Sequence, residues 1–375
     1  MSVEQTRFRD IYNFEHYLSS EGSFSIGPYN IIVRTEHIRG DFARSKQFVY
    51  ETTFGSSGFE RKVTEVPSSP GAWNITAVVE EHEELDQASV LLPDNPLVNG
   101  AYDLSVILSL LTGRHTMVGN DIAPYMPVSP GQAITSKNFF HTSPMIDWAQ
   151  LPNLREAGAG EAMEAVLLAM TNSNLGVKIA MGSAALDGLN TRWYSISGSN
   201  PYTKEVKAEV KAASQAFKVH LEKASVNQNL INDIMPRLSN IANESALAKL
   251  TAFLKAGCMY PENPDKETLK RIKWLNILRN SVAHSGSIRF DIAESPEASF
   301  RVAGAVALLL QDICRIYIAK SLLKIEDSDL DKAQQTVMDF FLYGTYHGQN
   351  ILTEDYATYQ QRLIDHYEEF GNLDL

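Results

Sequence analysis

Only two cysteines, Cys258 and Cys314, occur in 375 residues. Two cysteines make no disulfide framework, and without further ligands they close no zinc site. Both read as small core residues in a reducing compartment. Long apolar runs are also lacking. The longest, Val302 to Leu310, falls well short of the roughly 20 residues that a membrane span needs. The start, MSVEQTRFRD, is polar and unlike a signal peptide. The expectation is a cytoplasmic protein with no membrane partner. Missing motifs exclude several enzyme classes. No G-x4-G-K-[ST] occurs, which argues against a P-loop nucleotide hydrolase. G-x-S-x-G, H-E-x-x-H and C-x-x-C are absent as well. Gly55-Ser56-Ser57-Gly58 is a turn rather than a nucleophile elbow. No metal and no organic cofactor is expected.

The formal net charge is −12, which argues against attraction of the whole chain to nucleic acid. Its distribution is uneven. Residues 1–150 carry −8, residues 326–375 carry −9, and residues 151–325 carry +5. A basic middle is what a segment meeting a polyanion needs, although +5 over 175 residues is also ordinary scatter.

Residues 1–150 read as a β-rich domain. FSIGPYNIIVRTEHI, KQFVYETTFG and AWNITAVVEEH are rich in β-branched and aromatic residues. Gly, Ser and Pro clusters separate them. One helix interrupts, with Leu104, Ile107, Leu108 and Leu111 at helical spacing, Asp103 as N-cap and Gly113 as stop. The acidic run Glu80, Glu81, Glu83, Glu84 and Asp86 reads as a solvated turn rather than a metal site. Pro124 to Pro130 breaks regular structure, and the domain boundary is placed near 150.

From 151 to 325 the period turns helical, with helices expected over 161–187, 203–234, 245–258, 266–284 and 296–324. The last is apolar nearly all round, so it is central or faces a second subunit. On the second, Lys204, Lys207, Lys211 and Lys218 fall within about 60° of one another. That stripe either tracks phosphates or is a solvated face with Glu205, Glu209 and Glu222 as partners. Residues 326–375 read as an acidic, aromatic helical tail docked by its tyrosines. The fold class is therefore α+β, a β-rich N-terminal domain followed by an all-α bundle.

The chemistry concentrates in Leu275–Gly286, LNILRNSVAHSG. Leu269, Ile272, Leu275, Leu278 and Val282 give this helix a buried face. Ser285-Gly286 ends it, which puts His284 in the last turn, where the macrodipole favours an imidazolium. Asn280 shares a face with His284. Arg279 points about 140° away from His284. One helix does not close a site between them, but two copies meeting on a dyad would line one cleft with both. These residues suit RNA cleavage without metal. An imidazole near neutral pKa serves the 2′-hydroxyl and the leaving 5′-oxygen. A guanidinium holds the phosphate oxygens as charge builds. The alternative is plain structure, a histidine capping a helix end and an arginine in a surface pair.

The run R-N-S-V-A-H resembles the R-x4–6-H motif of the HEPN superfamily, with its polar residue after the arginine. The lead-in W-L-N-I-L-R-N, the trailing H-S-G and the earlier A-A-L-D-G-L are similar to bacterial HEPN proteins of the ApeA-like, abortive-infection kind. The resemblance covers roughly 155–325. It implies a dimerising helical bundle and a metal-independent endoribonuclease in antiphage defence or toxin-like growth arrest. Arg279 and His284 become the catalytic pair, Asn280 the motif's polar residue and Asp187 a further candidate. Gly286 stands where an adenylylated subgroup has tyrosine, which argues against that regulation. The implied partners are tRNA or single-stranded RNA, a second copy of the chain, and a phage or host trigger at the N-terminal domain. The other reading is a non-catalytic dimerisation or interaction module in a defence complex.

Overall fold

The computed structural model describes residues 7–14, 21–34, 46–55, 58–67, 75–119, 146–172, 174–197, 204–239, 245–285 and 296–351. For 46–55, 58–67, 171, 204, 236–239, 277–278, 280–285, 296–301 and 349–350 it describes the backbone alone. A β-sheet region is followed by a predominantly helical one.

The strands are β1 (Phe8–Tyr12), β2 (Gly22–Ile26), β3 (Tyr29–Val33), β4 (Lys46–Gly55), β5 (Gly58–Pro67), β6 (Ile75–Glu80) and β7 (Met117–Val118). Five of them form an antiparallel sheet in the order β2-β3-β6-β1-β7. β4 and β5 make a separate ribbon with Gly55 opposite Gly58. Alternation drives the sheet: Phe24, Ile26, Tyr29, Ile31 and Val33 are buried while Ser23 and Ser25 face water. The β-rich stretch from Phe24 onward is folded back on itself at Gly27-Pro28, with Ile26 paired to Tyr29. Gly27 has φ +58, and a Cβ there would lie 2.4 Å from the Trp148 ring. Tyr29 meets the same indole edge-on at 5.1 Å.

Helix α1 (Gly100–Thr112) is buried over almost its whole length, as its all-round apolar character requires. Gly113, at φ 68, closes it. The start differs from expectation. Asn99 occupies the N-cap position, and Asp103 lies inside the helix at 2% exposure. Its carboxylate accepts from Ser89 Oγ (2.6 Å), Val90 N (2.7 Å) and Leu91 N (3.3 Å). It therefore pins the preceding loop to α1. Burial raises this carboxyl above its ordinary range, against the pull of those three bonds. Ser105 and Ser109 accept the amides of Val118 (2.9 Å) and Thr116 (2.8 Å), which fixes β7 alongside the helix.

His115 sits between these elements, and its carbonyl accepts from Asn13 Nδ2 at 2.9 Å. Burial lowers the imidazole to about 4. The folded form thus prefers a neutral ring, and unfolding takes up a proton below the unfolded value of about 6.5. Stability is whole above that pH and falls as pH drops through the window to about 4, by up to about 3 kcal/mol. Urea titrations across this window should show a shallower decline for His115→Gln; parallel curves would dismiss the effect.

The helical region comprises α2 (Leu151–Glu156), α3 (Ala159–Thr171), α4 (Leu175–Ser197), α5 (Lys204–Lys223), α6 (Gln228–Ser239), α7 (Ala246–Ala256), α8 (Lys266–Ser285), α9 (Pro296–Ile316) and α10 (Ser328–Tyr343). A π-helical turn, Tyr317–Leu322, extends α9, and a small hairpin, β8 (Thr345–Tyr346) with β9 (Gln349–Asn350), follows α10. Two expected helices are each broken in two. The first stops at Asn172, whose side chain accepts from Asn174 N at 2.8 Å, and restarts as Asn174 Oδ1 accepts from Val177 N at 3.2 Å. The second breaks after Lys223, where Ser225 takes φ 58 and Asn227 accepts from Asn229 N at 2.8 Å.

α9 is the central element, packed by α3, α4 and α10. Val302–Leu322 is long and apolar enough to cross a membrane, and 89% of its apolar window is buried inside the protein. Arg271 on α8 donates to the last carbonyls of α10, Phe341 O (2.8 Å) and Leu342 O (2.7 Å). One hydrophobic core runs from Ile11 on β1 to Ile351. Cys314 lies within it; Cys258 does not, being exposed at φ 54, contrary to the expectation that both are core residues. In the tail, Phe340, Phe341 and Tyr346 are buried, whereas Tyr343 is 66% exposed. Tyr356, Tyr359 and Tyr367 lie outside the described residues.

Candidate functional site

α8 runs to Ser285, so Arg279, Asn280 and His284 all belong to its C-terminal turns. The side chains of Asn280 and His284 lie outside the described residues. Arg279 is described, and its surroundings are informative. It is 4% exposed, facing α4 rather than solvent. Its Nη1 donates to Asp187 Oδ1 at 2.5 Å, and its Nη2 donates to Asn276 Oδ1 at 3.1 Å.

The two partners of this ion pair differ in environment. The Arg279 side chain is 5% exposed and that of Asp187 is 53% exposed. The guanidinium lies inside and the carboxylate at the rim. Burial raises the Asp187 carboxyl, while Arg279 opposes the rise. On α4, Ser183, Asp187 and Asn190 succeed each other at helical spacing, and Ser183 and Asn190 are buried. Ser183 Oγ and Asn190 Oδ1 find no hydrogen-bond partner among the described residues. The seam between α4 and its neighbours is therefore unusually polar for a bundle interior. The guanidinium fork is filled by two oxygen acceptors, the Asp187 carboxylate and the Asn276 amide. Asp187 is the acid that the resemblance singled out. Asn276, one turn before Arg279, was not anticipated; its i, i+3 spacing from the arginine was the available signal.

A second polar centre was not anticipated either. Arg315 on α9 is fully buried. Its Nε and Nη2 donate to Leu110 O (2.8 Å) and Leu111 O (3.2 Å) at the end of α1, and Nη1 donates to Asp312 Oδ1 (2.9 Å). The Tyr346 hydroxyl donates to Asp312 Oδ2 at 2.6 Å, and His347 Nε2 lies 3.6 Å from the same oxygen. Burial lowers the Arg315 guanidinium, with Asp312 opposing. Burial and then Asp312 hold the Tyr346 hydroxyl protonated far above its usual range. This cluster ties α1, α9 and the C-terminal hairpin together. The signal was an Asp-x-x-Arg pair inside an otherwise apolar helix.

In the N-terminal region Arg9 pairs with Glu81 and with Asp86 (2.6 Å), so two acids of the 80–86 run serve an arginine on β1. Among the described residues no group of three or more His, Cys, Asp or Glu side chains is arranged to hold a metal ion. No protein-family model matches the chain, and no curated protein or solved structure does.

Proposed function

We propose that the chain is a metal-independent endoribonuclease of the HEPN type, acting as a cytoplasmic homodimer in antiphage defence or toxin-like growth arrest. The observation that carries this reading is the Arg279–Asp187 pair, at 2.5 Å. It joins the motif's arginine to the acid on α4 that the resemblance implies. His284 moves the protons, deprotonating the 2′-hydroxyl and protonating the departing 5′-oxygen. Arg279 stabilises the charge on the phosphate oxygens. Asn280 orients the histidine or the phosphate. In a single copy Arg279 is engaged by a carboxylate, and phosphate competes for the same fork. The enzyme is thus silent until a partner copy, RNA or a trigger at the N-terminal domain draws Arg279 away from Asp187.

The second reading is a non-catalytic dimerisation or interaction module. Arg279's 4% exposure favours it, because a guanidinium committed to Asp187 and Asn276 already has a structural role. Incubating the purified protein with tRNA and with single-stranded RNA in EDTA separates the two. Cleavage present in the wild type and lost in Arg279→Ala and His284→Ala supports the nuclease. Intact RNA under every activating condition supports the module.

A further inference from the structure

Helices α5 and α6 form an arm. They pack on each other, and neither shares a broad face with any other described element. Most of α5 is exposed, including Val206, Phe217 and Val219. Only Val210, Ser214, Lys218 and Leu221 are partly covered. Lys207 and Lys211 run beside that line and with Lys218, at its edge, fall within about 40° of one another around the helix.

The expected glutamate partners are mostly elsewhere. Glu222 lies 3.9 Å from Lys218. Glu205 and Glu209 project from the opposite side of the helix, roughly 140–180° round from the stripe. Lys207 and Lys211 are exposed and make no ion pair or hydrogen bond among the described residues. Other lysines contrast with them: Lys255, Lys270, Lys320 and Lys332 each approach an acid at 2.7–3.8 Å. In a chain of net charge −12, α5 holds two free ammonium groups one turn apart.

We infer that this stripe seats the phosphate backbone of single-stranded RNA, and so supplies the substrate-holding surface of the nuclease reading, on which the inference rests. Lys207 and Lys211 are separated by about 6 Å along the helix axis, close to one phosphate step of an extended strand. Ammonium groups act as point charges and follow a flexible backbone without demanding a fixed fork. Phe217 is 42% exposed and about 100° round from Lys218, where an unstacked base has an aromatic face to meet. A ring-less polyanion such as polyglutamate would use the lysines and leave that ring aside.

The test is fluorescence anisotropy of labelled polyuridine in EDTA at several salt concentrations. The protein carries His284→Ala so that the strand stays whole. Adding Lys207→Glu and Lys211→Glu should weaken binding at low salt at least about tenfold and make the salt slope shallower by about 1.4, two single-strand contacts. Phe217→Ala should weaken binding and leave the slope alone. Circular dichroism of each variant checks that the exposed changes leave the helices intact. Unchanged affinity and slope overturn the inference, as does absence of binding. Polyglutamate displacing RNA at equal charge, with Phe217→Ala silent, overturns it in favour of an acidic partner. Binding through the arm without cleavage by the wild type keeps this inference and removes the nuclease. Cleavage that persists when Lys207→Glu and Lys211→Glu are placed in the protein with His284 intact, with affinity unaltered in the His284→Ala background, does the reverse.

Discussion

Arg315→Ala lowers the stability of the fold by about 3–5 kcal/mol, the cost of removing one member of a buried ion pair. Three consequences add up at one place. Asp312, with its side chain 3% exposed, loses the cation beside it. The carbonyls of Leu110 and Leu111 at the end of α1 lose the donors that reach them from α9. A hole opens where a fully buried side chain stood. Urea unfolding should show the midpoint falling with little change in slope. Arg315→Met combined with Asp312→Asn should lose less than the two single changes added together, because the groups act as a unit. A loss under about 1 kcal/mol for Arg315→Ala would mean that water satisfies α1 without the guanidinium.

That cluster also marks the limit of what the sequence discloses. Gly113 was legible because a glycine after a periodic apolar run supplies the left-handed residue that stops a helix. Asp103 was misread as a cap because its partners lie on the loop at 89–91. No local rule says that a loop will fold back onto a helix flank. The breaks after Thr171 and Lys223 carried readable signals, Asn172 with Asn174 and Asn227. Apolar periodicity running through both breaks outweighed them. β1 is five residues long, and its pairing with β6 spans more than sixty positions. At the candidate site the motif was legible as a string, and Asp187 as an acid on the right helix. The burial of Arg279 was not legible, since it depends on how α8 and α4 meet.

The second large effect concerns that pair. On the nuclease reading proposed above, Arg279→Met should lower RNA cleavage about 10²-fold or more, while leaving the fold nearly as stable as the wild type. The asymmetry of exposure is the reason. Without Arg279, the Asp187 carboxylate at 53% exposure is solvated by water. Without Asp187, the guanidinium at 5% exposure stays inside with one fewer partner. Asp187→Ala should therefore cost more stability than Arg279→Met, about 1–3 kcal/mol against less than 1. The measurements are parallel unfolding curves and cleavage time courses on both variants. If Arg279→Met unfolds the protein and cleavage by the wild type is never seen, the pair is scaffold and the interaction module is the better account.

The apolar character of Val302–Leu322 has a consequence for how the chain is made. As the ribosome releases α9, the face destined for α10 and Tyr346 has nothing to lie against, because those elements are still being synthesised. Asp312 and Arg315 are then a charged pair in a sticky, half-wrapped rod. The nascent polypeptide stays an attractive client for holdase chaperones until the closing hairpin at 345–350 emerges. A stop codon only slightly upstream of that hairpin should thus yield inclusion bodies instead of a shorter working protein.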